Sequence, residues 1–394
     1  MPDTQAVVPR RVLPAITLAQ FAGTSLWFAA NAVMPDLQRE LALPATAVGT
    51  LTSAVQLGFI AGTLVFALLA IADRVSPRLV FLVCSGAGAG CAALSAWLPP
   101  ALSTLIVLRA ATGFFLAGIY PVGMKIAASW YARGLGAALG IMLSALVVGT
   151  AAPHALRALG AHWPWQDVLL SVAALAAGGG VLLYALVPEV PDAVRAPGAL
   201  QWRALASIVT DARVRASALG YFGHMWELYT FWVLVPAIVA TRLDSVAVSW
   251  ASFGAIALGG VGCAVGGLLA RRVGSAKVAA GQIAVSGLCC LAAPWALPAG
   301  DIAFAIWLTV WGITVAGDSP QFSALTATNA PRDAVGSVLT LTNCIGFAIS
   351  IVSIELFVRL AQSIPLASLL PWLGVGPLLG LLALRPLLGR RSMT

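Results

Sequence analysis

The sequence predicts an all-α membrane protein of twelve transmembrane helices in two pseudo-symmetric six-helix bundles. Three observations support this fold class: the composition, the number of long apolar segments, and a repeat between the two halves of the chain. Of the 394 residues, 60% are hydrophobic and 9% are charged, whereas soluble domains carry about 25% charged residues. A soluble core cannot cover so much apolar surface.

Apolar segments long enough to cross a membrane recur along the whole chain. An α-helix needs about 20 residues to cross the ~30 Å hydrocarbon layer. Breaks at proline, glycine and charged clusters predict twelve spans, at residues 13–34, 45–71, 77–98, 101–128, 134–157, 166–187, 216–240, 246–270, 276–298, 301–327, 334–361 and 366–388. The basic N-terminal stretch resembles a signal peptide, but no small-residue cleavage site follows it, so we assign it to span 1.

Lysines and arginines predict the orientation of the spans, because cytoplasmic loops carry an excess of them. Sixteen lie on one side of the predicted membrane and four on the other. Both termini are therefore predicted to be cytoplasmic, in a bacterial inner membrane. The net charge of +8 follows from this topology. The basic residues form no aromatic-containing cluster, so nucleic-acid binding is not expected.

One long polar connector divides the chain. Residues 188–215 contain prolines and charges, and they separate a first half of residues 1–187 from a second half of residues 216–394. The sequence therefore predicts six spans in each half, joined by a cytoplasmic linker.

The two halves also resemble each other at an offset of about 200 residues. FALLAIADRVSPR at 66–78 corresponds to GGLLARRVGSAK at 266–277, and IYP at 119–121 corresponds to GDSP at 317–320. Internal repeats are typical of secondary transporters, whose solute sites lie between the repeats near the middle of the membrane.

These stretches resemble the major facilitator superfamily over nearly the whole chain. The loop after span 2 carries Asp73, Arg74 and Arg78, as in the family signature G-x-x-x-D-R-x-G-R-R/K, and Arg272 follows span 8 in the second half. Arg109 begins the family's R-x-x-x-G pattern in span 4. Four further stretches look similar to bacterial permeases grouped near the cyanate and nitrate porters: TSLWFAANAVMPDL, YPVGMKIAASWY, GHMWELY and DSPQFSALTATNAP.

The resemblance implies a permease that works by alternating access, with spans 1, 4, 7 and 10 lining the cavity. It also implies that Asp73, Arg74, Arg78 and Arg272 form a cytoplasmic conformational gate. By the same resemblance, Arg109 takes part in proton coupling.

Polar and aromatic residues at helical spacing predict where a solute binds. In span 1, Gln20, Thr24, Trp27 and Asn31 recur at steps of three or four residues and therefore share one helix face. The predicted solute-binding residues are Gln20, Thr24, Trp27, Asn31, Gln56, Tyr120, His224, Trp226, Gln321 and Asn343. Hydrogen bonding between helices explains the Thr, Gln and Asn positions equally well.

Two acids inside the spans, Glu227 and Asp318, predict proton-coupling sites together with Arg109. A carboxylate in the middle of a bilayer costs at least ~2.5 kcal/mol, and removal from water favours its protonated form. Such an acid can bind and release a proton as its exposure changes. His224 lies three residues before Glu227 and is its predicted partner. A static, hydrogen-bonded role is the alternative.

The expected protein is a monomeric, proton-coupled transporter of a small organic or anionic solute, in contact with the lipid bilayer. Three scattered histidines do not form an enzyme site, and the chain has no GxxxxGK[ST] phosphate loop for ATP-driven pumping. We therefore expect no enzyme activity, no cofactor and no metal. A proton-driven multidrug or metabolite efflux antiporter stays open, because Gly140 and Gly149 keep part of the exporters' span 5 pattern. A non-transporting receptor or scaffold is the third alternative.

Overall fold

The computed structural model describes residues 8–99, 101–131, 135–189 and 200–389, and the regular structure there is helical. Nineteen helices lie within these residues. Seventeen of them correspond to the twelve predicted spans: span 1, Val12–Thr24, Ala29–Ala32 and Met34–Leu41; span 2, Ala47–Leu68; span 3, Pro77–Trp97; span 4, Leu102–Leu116 and Tyr120–Trp130; span 5, Leu135–Leu159; span 6, Trp165–Leu186; span 7, Ala212–Val239; span 8, Ser245–Val273; span 9, Ser275–Ala296; span 10, Asp301–Gly317 and Ser319–Asn329; span 11, Val335–Leu360; span 12, Leu366–Leu373 and Val375–Leu388.

Two short helices lie outside the spans. Ile71–Arg74 follows span 2, and Arg203–Thr210 lies in the connector between the halves. Residues 190–199 of the predicted connector lie outside the described residues. We refer below to Arg203–Thr210 as the connector helix.

Ten of the helical segments are long and apolar enough to cross a membrane. The predicted spans 1 and 7 are not among these ten. Span 1 is divided into short helices, and span 7 is 28 residues long but is less apolar. The predicted fold class, an all-α membrane protein, is confirmed.

Helix contacts follow the same scheme in both halves. Span 1 packs against spans 5 and 6, and span 7 packs against spans 11 and 12. Span 2 packs against span 4, as span 8 packs against span 10. The halves meet along two helix pairs, span 5 with span 8 and span 2 with span 11. The repeat in the sequence is therefore a repeat in the packing.

Glycines allow backbone contact between spans 2 and 4 and between spans 8 and 10. A Cβ atom at Gly58 would lie 1.9 Å from a carbonyl oxygen of span 4, and one at Gly262 would lie 1.8 Å from a carbonyl oxygen of span 10. On the facing helices, Gly113 and Gly312 approach spans 2 and 8 in the same way. Small residues permit such close approach in membranes, and a larger side chain would separate the helices.

Spans 4 and 10 are interrupted at corresponding positions. The second helix of span 4 has Pro121 in its first turn, and the second helix of span 10 has Pro320 there. Because proline lacks an N–H group and its ring clashes with the preceding turn, it starts a helix more readily than it continues one. The two breaks place Tyr120 and Asp318 near the middle of their spans.

Candidate functional site

Six aromatic side chains fill the middle of the contact between the halves. We call them the aromatic cluster: Trp27, Phe28, Phe59, Tyr229, Trp232 and Phe347. None of them is more than 4% exposed. The ring centroids of Trp27 and Tyr229 are 5.8 Å apart, and those of Phe59 and Phe347 are 4.7 Å apart. Spans 1 and 2 of the first half therefore meet spans 7 and 11 of the second half through stacked rings.

Buried polar side chains border the aromatic cluster. Gln56 of span 2 accepts a hydrogen bond of 2.9 Å from Ser350 of span 11, and Asn31 donates one of 2.9 Å to Thr52. Within the described part of the chain, buried polar atoms without a hydrogen-bond partner include Trp27 Nε1, Asn31 Oδ1 and Gln56 Nε2, and also both amide atoms of Gln20, which lies beside Gly123 of span 4. An unsatisfied buried polar group costs about 1–3 kcal/mol. The unpaired atoms of Trp27, Asn31 and Gln56 are therefore groups that a polar ligand could satisfy.

Span 1 breaks beside the aromatic cluster, and Arg109 binds the break. The first helix ends at Thr24, and the carbonyl groups of Leu26 and Trp27 in the break that follows accept no backbone hydrogen bond from the described residues. The buried guanidinium of Arg109 donates to the carbonyl oxygen of Leu26 at 2.8 Å and to that of Trp27. Arg109 forms no ion pair with any described residue. Its contacts fix the backbone of Trp27.

His224 and Asp318 form a buried pair between spans 7 and 10. His224 Nδ1 lies 2.8 Å from Asp318 Oδ1, and each side chain is 1% exposed. The rings of Tyr221 and Phe322 flank the imidazole, with centroids 5.8 Å and 5.9 Å away. His224 Nε2 has no partner among the described residues. The break in span 10 thus carries an acid that contacts a second titratable group.

Glu227 lies away from the contact between the halves. Its carboxylate accepts hydrogen bonds from Trp311 Nε1 at 2.6 Å, Ser286 Oγ at 2.9 Å and Cys290 Sγ at 3.2 Å. These donors belong to spans 9 and 10. Residues three apart on a helix differ by about 60° in direction, which separates Glu227 from His224. The two side chains have separate partners in this structure, so the expectation that both face one cavity stays a prediction without a shared contact to support it.

Comparison with protein families supplies the classification. The family model described as Major Facilitator Superfamily matches residues 16–354. The chain belongs to the Major Facilitator Superfamily.

Solved structures of superfamily transporters share its fold. A mutant of the nucleoside transporter NupG is 13% identical, with a TM-score of 0.73, covering 96% of this chain and 100% of that chain. The human organic anion transporter MFSD10 (TETRAN) is 15% identical, with a TM-score of 0.74, covering 95% and 99%. At these identities the likeness establishes the fold alone. No curated protein sequence matches the chain.

The superfamily's loop signature makes its contacts inside the first half. Lys125 Nζ pairs with Asp73 and donates to the carbonyl oxygen of Ala72 at 2.7 Å. Arg78 lies 3.2 Å from Glu189, at the end of span 6. Among the described residues these ion pairs do not cross between the halves. Arg74 and Arg272 are exposed. No contact between the halves in the described part of the chain therefore supports the predicted conformational gate of Asp73, Arg74, Arg78 and Arg272, which stays a prediction.

Four further residues were predicted to bind the solute, and of these Tyr120 contacts the aromatic cluster. The Tyr120 ring stacks on Phe59, 6.3 Å away, at the edge of the aromatic cluster. The Thr24 hydroxyl donates to carbonyl oxygens of spans 1 and 5, at 2.8 Å and 3.2 Å. Gln321 is buried after the break in span 10, and Asn343 is half-buried on span 11.

Trp226 does not lie at the contact between the halves. Its ring centroid is 6.0 Å from that of Phe357 in span 11, and its side chain packs on Gly376 of span 12. The prediction that Trp226 contacts a solute thus stays a prediction without a contact at the aromatic cluster to support it, because helical spacing alone does not show which neighbour a side chain faces.

Sequence reasoning missed several residues of the site. Four residues of the aromatic cluster were not predicted, because their spacing does not distinguish them from the other aromatic residues of the chain: Phe28, Phe59, Trp232 and Phe347. Two hydrogen bonds across the halves were also missed. Ser53 donates to Glu355 at 2.9 Å, and Gln56 accepts from a serine 294 residues later in the chain. No local signal reveals such distant partners.

Proposed function

We propose that the chain is a secondary active transporter that moves a small organic solute across the membrane by alternating access, coupled to protons. One observation carries this proposal: the aromatic cluster, bordered by unpaired buried polar atoms, lies between the two halves. In repeat-built transporters the solute site lies at this position, and rocking of one half against the other exposes it to either side.

The site favours an uncharged planar solute over an anion. Both cations of span 4 already have partners, since Arg109 donates to span 1 carbonyls and Lys125 pairs with Asp73. The Trp27 ring, which stacks on Tyr229 and Phe347 in this structure, would become free to stack on a solute when the halves move apart, and the amide of Gln56 offers an unpaired donor. The organic anion transporter among the similar structures makes an anion the alternative to test.

The coupled proton binds the pair of His224 and Asp318. The pair joins span 7 to the break in span 10, directly before the second helix, so a shift of that helix changes the contact between the two groups. The sequence predicted Glu227 and Asp318 together with Arg109 as proton-coupling residues, with His224 as the partner of Glu227. Glu227 instead has three donors within one half, and this favours a structural role.

The solute class is tested by thermal stabilisation of the purified chain, followed by counterflow in proteoliposomes. The panel contains uncharged planar compounds (uridine, adenosine, nicotinamide) and organic anions (benzoate, citrate). We expect stabilisation and counterflow by an uncharged member. Trp27→Ala should abolish both effects, whereas Trp295→Ala, whose side chain is 73% exposed on span 9, should not. Stabilisation by anions alone would refute the solute class, and stabilisation without flux would refute transport.

Proton coupling is tested with two neutral variants in the same proteoliposomes. Asp318→Asn should lose accumulation driven by a pH gradient and keep counterflow, which needs no net proton movement. Glu227→Gln should keep both activities. Full gradient-driven accumulation by Asp318→Asn would contradict the assignment of the proton to this pair.

A further inference from the structure

The connector helix is apolar on two opposite faces. On one face, Ala204 and Ile208 are buried in a cluster with Ala334 and Val338 at the start of span 11, and Leu64 of span 2 packs against this cluster. The helix is therefore held on spans 7 and 11 of the second half. Burial of this face accounts for two of its five apolar residues, Ala204 and Ile208.

The opposite face carries an exposed apolar stripe. Trp202, Leu205, Ala206 and Val209 recur at the i, i+3, i+4, i+7 spacing that places them on one side of a helix. Trp202 is 55% exposed, Leu205 37% and Val209 66%. A helix face in contact with water carries polar residues, so this stripe requires an apolar partner.

The stripe continues onto the surface of span 7. Arg215 Nη1 donates a hydrogen bond of 2.7 Å to the carbonyl oxygen of Val209. Arg215 and Leu219 are both exposed and lie four residues apart, on one face of span 7. Leu219 is 44% exposed and lies within the predicted span 7, where an exposed leucine is expected to face lipid. The end of the stripe and the lipid-facing side of span 7 are therefore neighbours.

Exposed arginines border the stripe. Arg203, Arg213 and Arg215 lie on the connector helix and the first turn of span 7, and all three are exposed. The nearby carboxylate of Asp211 accepts the backbone N–H groups of Arg213 and Val214, at 2.8 Å and 3.1 Å, as the cap of span 7. The stripe is thus an apolar surface with positive charge along its edge.

We propose that the connector helix docks on the bilayer surface and binds anionic phospholipid headgroups. Trp202 and the other residues of the stripe insert at the boundary between headgroups and acyl chains, and Arg203 and Arg213 contact the headgroups. Continuity with lipid-facing Leu219 favours a lipid partner over a soluble protein. The side concerned is the one predicted to be cytoplasmic, where anionic lipids attract basic segments. This lipid site is independent of the proposed solute site.

The first experiment titrates the full chain, in nonionic detergent, with POPG or POPC and follows the thermal midpoint. POPG should stabilise the chain at lower concentration than POPC. Arg203→Gln combined with Arg213→Gln should weaken the apparent POPG affinity about 25-fold, since each arginine near an anionic surface contributes roughly fivefold, or about 1 kcal/mol. The matched control combines Arg10→Gln with Arg271→Gln, two exposed arginines on the same predicted side.

Two outcomes of this titration overturn the proposal. One is an equal loss of POPG affinity in the control variant, which would indicate a general charge effect. The other is full stabilisation by inorganic phosphate alone, which would indicate a site for free anions and not for a membrane surface.

The second experiment measures insertion directly, and it stays informative if the arginine variants fold poorly. Ala206→Cys, at the centre of the stripe, is labelled with an environment-sensitive NBD dye; the native cysteines lie within the spans, where five are buried and Cys91 is half-buried. In nanodiscs of equal parts POPC and POPG, quenching by a lipid-attached nitroxide should be about twofold stronger than in POPC alone, with weaker quenching by iodide. Equal iodide quenching in both discs would overturn the proposal.

Discussion

The hydrogen bond between Glu227 and Trp311 distinguishes a structural acid from a proton-coupling one. The donor–acceptor distance is 2.6 Å, and both side chains are buried. A hydrogen bond contributes about 0.5–1.5 kcal/mol between neutral groups and about 1.5–3 kcal/mol to a charged group. Within membranes, double-mutant cycles average ~0.6 and reach ~1.7 kcal/mol. Ser286 has a second acceptor, the Ile283 carbonyl oxygen at 3.2 Å, so the loss of the carboxylate mainly leaves Trp311 unpaired. We expect a coupling energy of about 1–2 kcal/mol.

The measurement is a double-mutant cycle on the free energy of unfolding of the purified chain, with Glu227→Leu, Trp311→Phe and the double variant. The first half offers a matched control, because Trp165 Nε1 donates to Glu40 at 2.6 Å. Trp165→Phe combined with Glu227→Leu should be additive within about 0.5 kcal/mol. Two results together would refute the structural role. One is a Glu227–Trp311 coupling energy no larger than that of the control pair, and the other is loss of gradient-driven accumulation in Glu227→Gln.

Three further predictions concern the scaffold. Arg109→Lys should lower the free energy of unfolding by about 1–3 kcal/mol, because one ammonium group cannot bind two carbonyl groups as a guanidinium does; an unchanged thermal midpoint would contradict this. Ala70→Gly should raise stability by about 1 kcal/mol, because Ala70 has φ 48° and glycine adopts the left-handed region without strain; denaturant titration measures it. Gly58→Leu and Gly262→Leu should each prevent monodisperse expression, as judged by size-exclusion chromatography, whereas Gly90→Leu, with open space around the added Cβ atom, should express normally.

The spans and the repeat could be predicted because they depend on local properties of the sequence. Length and apolarity define a membrane helix, and the prolines at 121 and 320 mark the helix starts within spans 4 and 10. The helical spacing in span 1 predicted one polar face, but the helix ends at Thr24 and a new one begins at Ala29. Of the residues on that predicted face, Trp27 lies within the aromatic cluster, whereas Gln20 lies beside Gly123 of span 4.

The contacts of the charged residues could not be predicted. Glu227 meets a tryptophan 84 residues later in the chain, and Arg109 binds backbone carbonyl groups that exist as acceptors only because span 1 breaks there. Neither partner has a sequence signal. The direction of a side chain depends on helix rotation, which a hydropathy pattern defines to within a broad sector only.

The glycine contact between spans 2 and 4 matches the one between spans 8 and 10, as expected if the two halves arose by duplication. A six-helix ancestor that was duplicated and fused would have contributed one such contact to each half, and both copies are present at Gly58 and Gly262. The chemistry has diverged on this shared scaffold, because the break in span 10 carries Asp318 next to His224 whereas the break in span 4 precedes Tyr120. A protein built from two copies of the first half would therefore keep the interhelical geometry, but it would lack the acid–histidine pair.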